Sequence, residues 1–355
     1  MNEKNPQFNR PEPLVVGPAS LETKKEKARQ IVERFGERHY EQLTEKQRII
    51  LKSVEYKKKK CEKLAIEKVN EITNSILSNF GLPPFNIPER NIHLVPEKLF
   101  KEIISRETGE LVGITFQDKQ AILLNAELLV HPINRISAIL HEMIHLKNYL
   151  AIEANGKSEK VYRNGLKISA LGKKAEKIGG FITFMGLNEA IVTEIEKRYL
   201  NLCLSEVVND LKKSSKLGYY DRNLIEEYQR QSLERIQDFK KIIADLKAKQ
   251  EDEIIWVSKD GENFVSFPYY EQRKVLNYIV NVLYEDNQDK FKSPEDVMKL
   301  FFKAHFDGKL LSIARFITKS FGDDAFEVIG MMTDYDANSA HLVMNYLVKH
   351  RKRIK

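Results

Sequence analysis

His141 and His145 stand four residues apart with Glu142 beside the first, in the word His141-Glu142-Met143-Ile144-His145. On a helix, positions i and i+4 lie one above the other, so both imidazoles would project from one face and offer two nitrogens to a single Zn²⁺. Glu142, about 100° round the helix from His141, falls beside the open position of such a metal, where a general base belongs. With eight histidines in 355 residues, chance supplies this word roughly once in 60 such sequences, so its surroundings must support it. Ile136, Ile139, Met143, Leu146 and Leu150 gather opposite His141, which predicts a helix whose apolar face excludes the histidines. The competing account makes the pair core histidines satisfied by neighbouring hydrogen bonds, and they would then point away from that stripe.

Catalytic zinc usually takes three protein ligands. A helix-compatible run, Gly186-Leu187-Asn188-Glu189-Ala190-Ile191-Val192-Thr193-Glu194, has Gly186 or Asn188 as a start signal and offers Glu189 as the third. Glu194 and Glu196 are rivals, and the competing account of Glu189 is an ordinary solvated glutamate on an amphipathic helix. Thr193, one turn on and on the same face, could donate a hydrogen bond to a metal ligand.

The two segments together resemble the gluzincins, the zinc metallopeptidases that include the thermolysin-like enzymes. In that family a His-Glu-x-x-His helix is followed by a second helix bearing a glutamate ligand, in the pattern Asn-Glu-x-x-x-Asp or Asn-Glu-x-x-Thr-Glu. Here the second element reads Asn188 to Glu194, with threonine in place of the first pattern's aspartate and one extra residue before the Thr-Glu of the second. The similarity covers about residues 90 to 200. It implies one catalytic Zn²⁺ held by His141, His145 and Glu189, with Asn188 and Thr193 as supporting groups and Glu142 as the base that takes a proton from water and returns it to the leaving amine. It also implies an oxyanion donor from the C-terminal half, for which Tyr269 and Tyr270 are the candidates and Arg273 a supporting group. Tyrosines in such amphipathic contexts also serve simply as packing residues.

Strands are expected at residues 91–95, 111–117 and 120–124, the last two around the polar pair Asp118-Lys119. Gluzincins resemble this order, a small sheet leading into the active-site helix, and their outermost strand pairs with extended peptide. The resemblance gives that role to the strand beginning at Gln120 or to its neighbour. Residues 161–170, with Gly165, and the run after Gly179-Gly180 suggest a hairpin or a flap, with Lys167, Lys173, Lys174 and Lys177 as a solvated basic loop.

Around this core the chain is helical. Residues 1–20 are expected to be disordered. Residues 21–85 form an N-terminal helical region, in which Ala65, Val69, Ile72, Ile76 and Phe80 share a face and Gly81 and Pro83-Pro84 end the helix. Lys57 to Lys60 read as a solvated helix face. The core spans residues 86–205. Residues 206–355 are mainly helical: a charged helix at 222–250 with Ile236, Phe239, Ile243 and Leu246 at 3-4-3 spacing, and a hairpin at 254–267 turning at Asp260-Gly261. A helix then continues through Tyr284, and the segment from residue 293 has a core of Phe301, Phe302, Phe306, Ile313, Phe316 and Ile317. The basic end, 350–355, reads as a frayed tail. The fold class is therefore α+β and predominantly helical, a gluzincin-like core with a small sheet packed on the active-site helix and helical regions on either side.

Hydrophobic residues at 42% and charged residues at 31% match an ordinary globular balance. The net charge of +7 admits a nucleic-acid partner without requiring one. Cys61 and Cys203 are the only cysteines, which excludes a disulfide framework and a cysteine zinc site. A polar N-terminus without an apolar signal segment, and no apolar run of about 18 residues, predict a cytoplasmic protein with no membrane partner. The expected activity is zinc-dependent endopeptidase action on a peptide or protein, since the exopeptidase signature Gly-x-Met-Glu-Asn is absent. Two alternatives remain: a dedicated regulatory or mobile-element protease that cuts one partner, and a non-catalytic basic helical binding protein.

Overall fold

Four short strands precede the His-Glu-x-x-His helix, and the last three of them pair into one sheet. The computed structural model describes residues 10–34, 45, 52–104, 111–155, 158–169, 182–234, 253–257 and 264–352. In chain order the elements are β1 (Leu14–Val16), α1 (Leu21–Glu33), α2 (Lys60–Asn79), a 3-10 turn (Glu89–Asn91), β2 (Ile92–Val95), α3 (Glu97–Ile104), β3 (Gly113–Phe116), β4 (Ala121–Asn125) and α4 (Pro132–Lys147). There follow β5 (Leu150–Asn155), β6 (Ser158–Asn164), β7 (Lys167–Ser169), β8 (Ile182–Thr183), α5 (Met185–Lys212), α6 (Tyr219–Glu234), β9 (Ile254–Val257) and β10 (Phe264–Ser266). The chain closes with α7 (Tyr270–Glu285), α8 (Pro294–Asp307), α9 (Leu311–Phe321), α10 (Ala325–Gly330) and α11 (Ala337–His350). The fold is α+β, with small mixed sheets among the helices. None of the described helices is long and apolar enough to cross a membrane.

The chain divides into two compact units, one built from residues 1–11, 32–146 and 196–267, the other from 12–31, 147–195 and 268–355. The division falls at the end of α4 and inside α5, so the contiguous stretch 86–205 coincides with neither unit.

In the first unit the sheet order is β2-β4-β3, with β2 parallel and β3 antiparallel to β4. Strands β2 and β4 are buried throughout, as their mostly apolar sequences favour. The strand expected at 120–124 as a candidate edge is therefore the central strand, a correction with a plain cause: covered on both faces, it is also paired on both sides. Among the described residues its partly exposed neighbour β3 is an edge, whereas Tyr56 N donates to Leu94 O across β2 at 2.8 Å. Helix α2 buries Ala65, Val69, Ile72 and Ile76, and its end at Phe80 passes into Gly81 in the left-handed region, φ +72°, where glycine carries no Cβ penalty. Lys57, Lys58 and Lys59 precede this helix in irregular chain, so the tetralysine run is not a helix face.

Arg135 anchors the first turn of α4. Its Nε and Nη2 donate to Leu129 O and Ala126 O at 2.9 and 3.0 Å, and Nη1 meets Glu62 Oε1 of α2 at 2.5 Å. Near the same helix start, Trp256 of β9 donates its Nε1–H to Glu227 and lies against the His131 ring, centroids 3.9 Å apart. Strands β9 and β10 form the expected antiparallel pair. The Asp260-Gly261 turn and the stripe Ile236, Phe239, Ile243 and Leu246 lie outside the described residues.

The second unit holds a five-stranded sheet in the order β1-β5-β6-β7-β8. Strand β1 runs parallel to β5, Leu14 opposite Ala151, so residues 14–16 are ordered structure rather than part of a disordered start: three apolar residues find a partner in buried β5. The β6–β7 hairpin turns at Gly165, φ +60°, where an added Cβ would sit 2.5 Å from Asn188 Oδ1. Lys173, Lys174, Lys177 and Gly179-Gly180 lie outside the described residues. In the C-terminal helices Phe301, Phe302, Phe306, Ile313 and Ile317 are buried and Phe316 is half-buried. Arg351 pairs with Glu285, and Lys352 N donates to Ser320 O at 2.8 Å. These contacts correct the frayed-tail reading as far as residue 352.

Candidate metal centre

Helix α4 starts with Pro132 at its first position, where the missing N–H costs nothing. Ile133, Ile136, Ile139, Leu140, Met143, Ile144 and Leu146 are all buried, so the helix is enclosed nearly all round rather than along one stripe. Leu150 falls beyond it, as the first residue of β5. His141 and His145 are held in this environment with side chains 12% and 7% exposed. Their Nε2 atoms converge to 3.2 Å. Two Zn–N bonds of about 2.0–2.1 Å meeting at a tetrahedral angle separate their nitrogens by about 3.3 Å.

His141 Nδ1 lies 3.0 Å from Glu196 Oε2, and the Ser137 hydroxyl donates to the other oxygen of the same carboxylate. A carboxylate on Nδ1 fixes that nitrogen as the N–H donor and leaves Nε2 with its lone pair, the tautomer a metal requires. Glu196, 2% exposed, was a rival for the ligand position; its carboxylate lies between His141 Nδ1 and the Ser137 hydroxyl. Seven residues turn a helix through about 700°, within about 20° of two full turns, so Glu189 lies on the face of α5 that carries Glu196. Among the described residues His141, His145 and Glu189 each offer a ligand atom, all within 4.8 Å of one another.

Glu142 is 8% exposed. Thr115 of β3 donates to its Oε2 at 2.7 Å and reaches its backbone carbonyl at 3.0 Å. Two residues back on the same face of β3, Gly113 leaves room for the carboxylate: a Cβ there would meet Glu142 Oε1 at 2.9 Å and Cγ at 3.0 Å. The edge strand and the general-base candidate are thus directly packed.

No protein-family model, curated protein or solved structure matches the chain. The candidate centre therefore rests on its own chemistry. Two imidazoles and a carboxylate are a donor set that suits Zn²⁺, and the carboxylate on His141 Nδ1 is the outer contact such ligands usually carry. Thr193, fully buried one turn from Glu189, has a hydroxyl with no hydrogen-bond partner among the described residues.

The remaining sequence candidates have other surroundings. Asn188 Oδ1 accepts from Leu166 N at 3.0 Å and meets His305 Nδ1 at 3.2 Å, pinning the β6–β7 turn to the start of α5. Arg273, 2% exposed, donates from Nε to Pro268 O at 3.0 Å and places Nη1 3.6 Å from Glu194. Tyr269 caps α7 in the left-handed region, φ 58°, and Tyr270 has Lys274 Nζ over its ring at 4.2 Å. In the same unit, burial and then the charge of Glu189 push the Asp334 carboxyl up. Sequence reasoning missed Glu196 as an orienting group, although its seven-residue spacing from Glu189 was a signal. It also missed Thr115 and Gly113, for which no local pattern exists.

Proposed function

We propose that the chain is a metal-dependent peptidase in which His141, His145 and Glu189 hold one Zn²⁺ and Glu142 is the general base. The observation that carries this reading is the convergence of the two Nε2 atoms at 3.2 Å while Glu196 engages Nδ1 of His141. The chemistry a divalent cation supplies when bound to such a set is Lewis acidity, which acidifies water and polarises a carbonyl.

The chain's own groups supply the rest. Thr115 occupies Glu142 Oε2, so Oε1 is the oxygen that takes a proton from water and later returns it to the leaving amine. The half-exposed edge β3 would pair with the backbone of an extended peptide, beside the same carboxylate. By the gluzincin resemblance alone, Tyr269 or Tyr270 would be the donor to the developing oxyanion. Cys61 and Cys203 are free and buried, in keeping with a cytoplasmic setting.

The test is elemental analysis of the wild type, His145→Ala and Glu189→Ala, with cleavage of extended peptides by Glu142→Gln. We expect about one zinc per chain in the wild type, much less in the two ligand variants, and retained zinc with turnover reduced about 10²–10⁴-fold in Glu142→Gln. A wild type that takes up no zinc on reconstitution overturns the reading.

A further inference from the structure

His145 lies in the last turn of α4, where helix carbonyls have no partner within the helix and the backbone frays unless something else binds them. Here two side chains do. Gln117 Nε2 donates to His145 O at 2.5 Å, and Arg10 Nη1 donates to Leu146 O at 2.8 Å from 136 residues away. Arg10 also donates to Gln120 Oε1 at 2.5 Å, and Gln120 in turn donates to Gln117 O. Asn91 Nδ2 holds Gln120 O at 2.7 Å, fixing Gln120 in a left-handed conformation, φ 52°, that a residue with a side chain keeps only when its surroundings demand it. Arg10, Gln117, Gln120 and Asn91 are 5%, 4%, 0% and 0% exposed. The Arg10 guanidinium also covers the Phe85 ring at 5.6 Å.

This network binds the C-terminal end of the helix that carries both histidines, and it places a cation at the negative end of the helix dipole. Burial pushes Arg10 down to about 9, so it still carries its charge at neutral pH. The expense of burying a guanidinium exceeds what capping one helix usually requires.

We infer that Arg10 is a positioning residue for the metal centre: its direct bond to Leu146 O, together with the Gln120–Gln117 relay that ends on His145 O, holds the last turn of α4 and with it the His145 ring. This rests on the metal-site reading above. A carbonyl left unbound would let the last turn unwind, and His145 would lose its place opposite His141 before the helix as a whole was disturbed.

The test compares wild type, Arg10→Met and Arg10→Lys by zinc affinity in chelator competition, and by the rise in unfolding temperature that saturating zinc produces in each. A residue that only stabilises the fold lowers the unfolding temperature of the metal-free and zinc-loaded forms alike and leaves the zinc-induced rise unchanged. A positioning residue shrinks that rise. We expect zinc affinity to fall about 10- to 100-fold in Arg10→Met, with a smaller rise on zinc addition, and Arg10→Lys to recover most of both. Arg10→Met binding within about twofold of wild type overturns the inference while leaving the metal reading intact; a wild type that binds no zinc overturns both. If Arg10→Met does not fold, an Arg10→Gln variant that keeps wild-type zinc affinity and a full zinc-induced rise would likewise count against it.

Discussion

His141 and Glu196 stand 55 residues apart in sequence and are joined by a 3.0 Å contact between Nδ1 and Oε2. The contact leaves Nε2 of His141 facing Nε2 of His145, so it bears on the proposed metal site without belonging to the proposed ligand set. Glu196→Gln keeps the shape and removes the charge. Its zinc affinity should drop about 10- to 100-fold, measured against a chromophoric chelator, and Ser137→Ala should show a smaller loss in the same direction. An unchanged affinity in Glu196→Gln would mean that the carboxylate is a structural partner only.

Gly113 and Thr115 place β3 against the Glu142 carboxylate. Gly113→Ala should push that carboxylate aside, lowering kcat about 10- to 100-fold with zinc content unchanged. The extra methyl should also reduce stability by about 1–3 kcal/mol. Thr115→Val, which removes the hydroxyl and keeps the size, should reproduce the kcat loss. Retained wild-type kcat in both variants would separate Glu142 from the chemistry.

His93 Nδ1 lies 3.1 Å and Lys58 Nζ 3.4 Å from Glu55 Oε1. Burial raises the Glu55 carboxyl, but the His93 hydrogen bond and the charges of His93 and Lys58 outweigh it and hold the group below its ordinary value. A carboxyl lowered in the folded state stabilises above its unfolded value, and that contribution is lost as the pH falls through the lowered one. The urea midpoint should therefore decline on acidification below about pH 5. Glu55→Gln should show a shallower decline over that range, and equal slopes in the two proteins would exclude Glu55 as a contributor.

The histidine pair and its helix were legible because a period of 3.6 and a four-residue spacing are local properties. So were the burial of Ala65 to Ile76 and the two strands of the 254–267 hairpin. What could not be read depended on partners distant in sequence. The apolar run at 121–125 has the composition of any buried strand, and only its pairing with β2 and β3 makes it central rather than an edge. Leu14, Val15 and Val16 are too few to announce a strand without the neighbour that pairs with them. Arg10 gives no sign in the sequence that its donor ends at Leu146 O. At the candidate site, type and spacing named the candidate ligands and base, while the side chains in contact with Glu142 and His141 lie 27 and 55 residues away.

Trp256 is the only tryptophan in the chain, and its indole rests against His131, the residue immediately before α4, with its N–H committed to Glu227. Emission from a single indole carries no averaging over sites. The protein thus contains an intrinsic optical probe at the entrance to the helix that bears both histidines, one that reads local rearrangement there with no label attached.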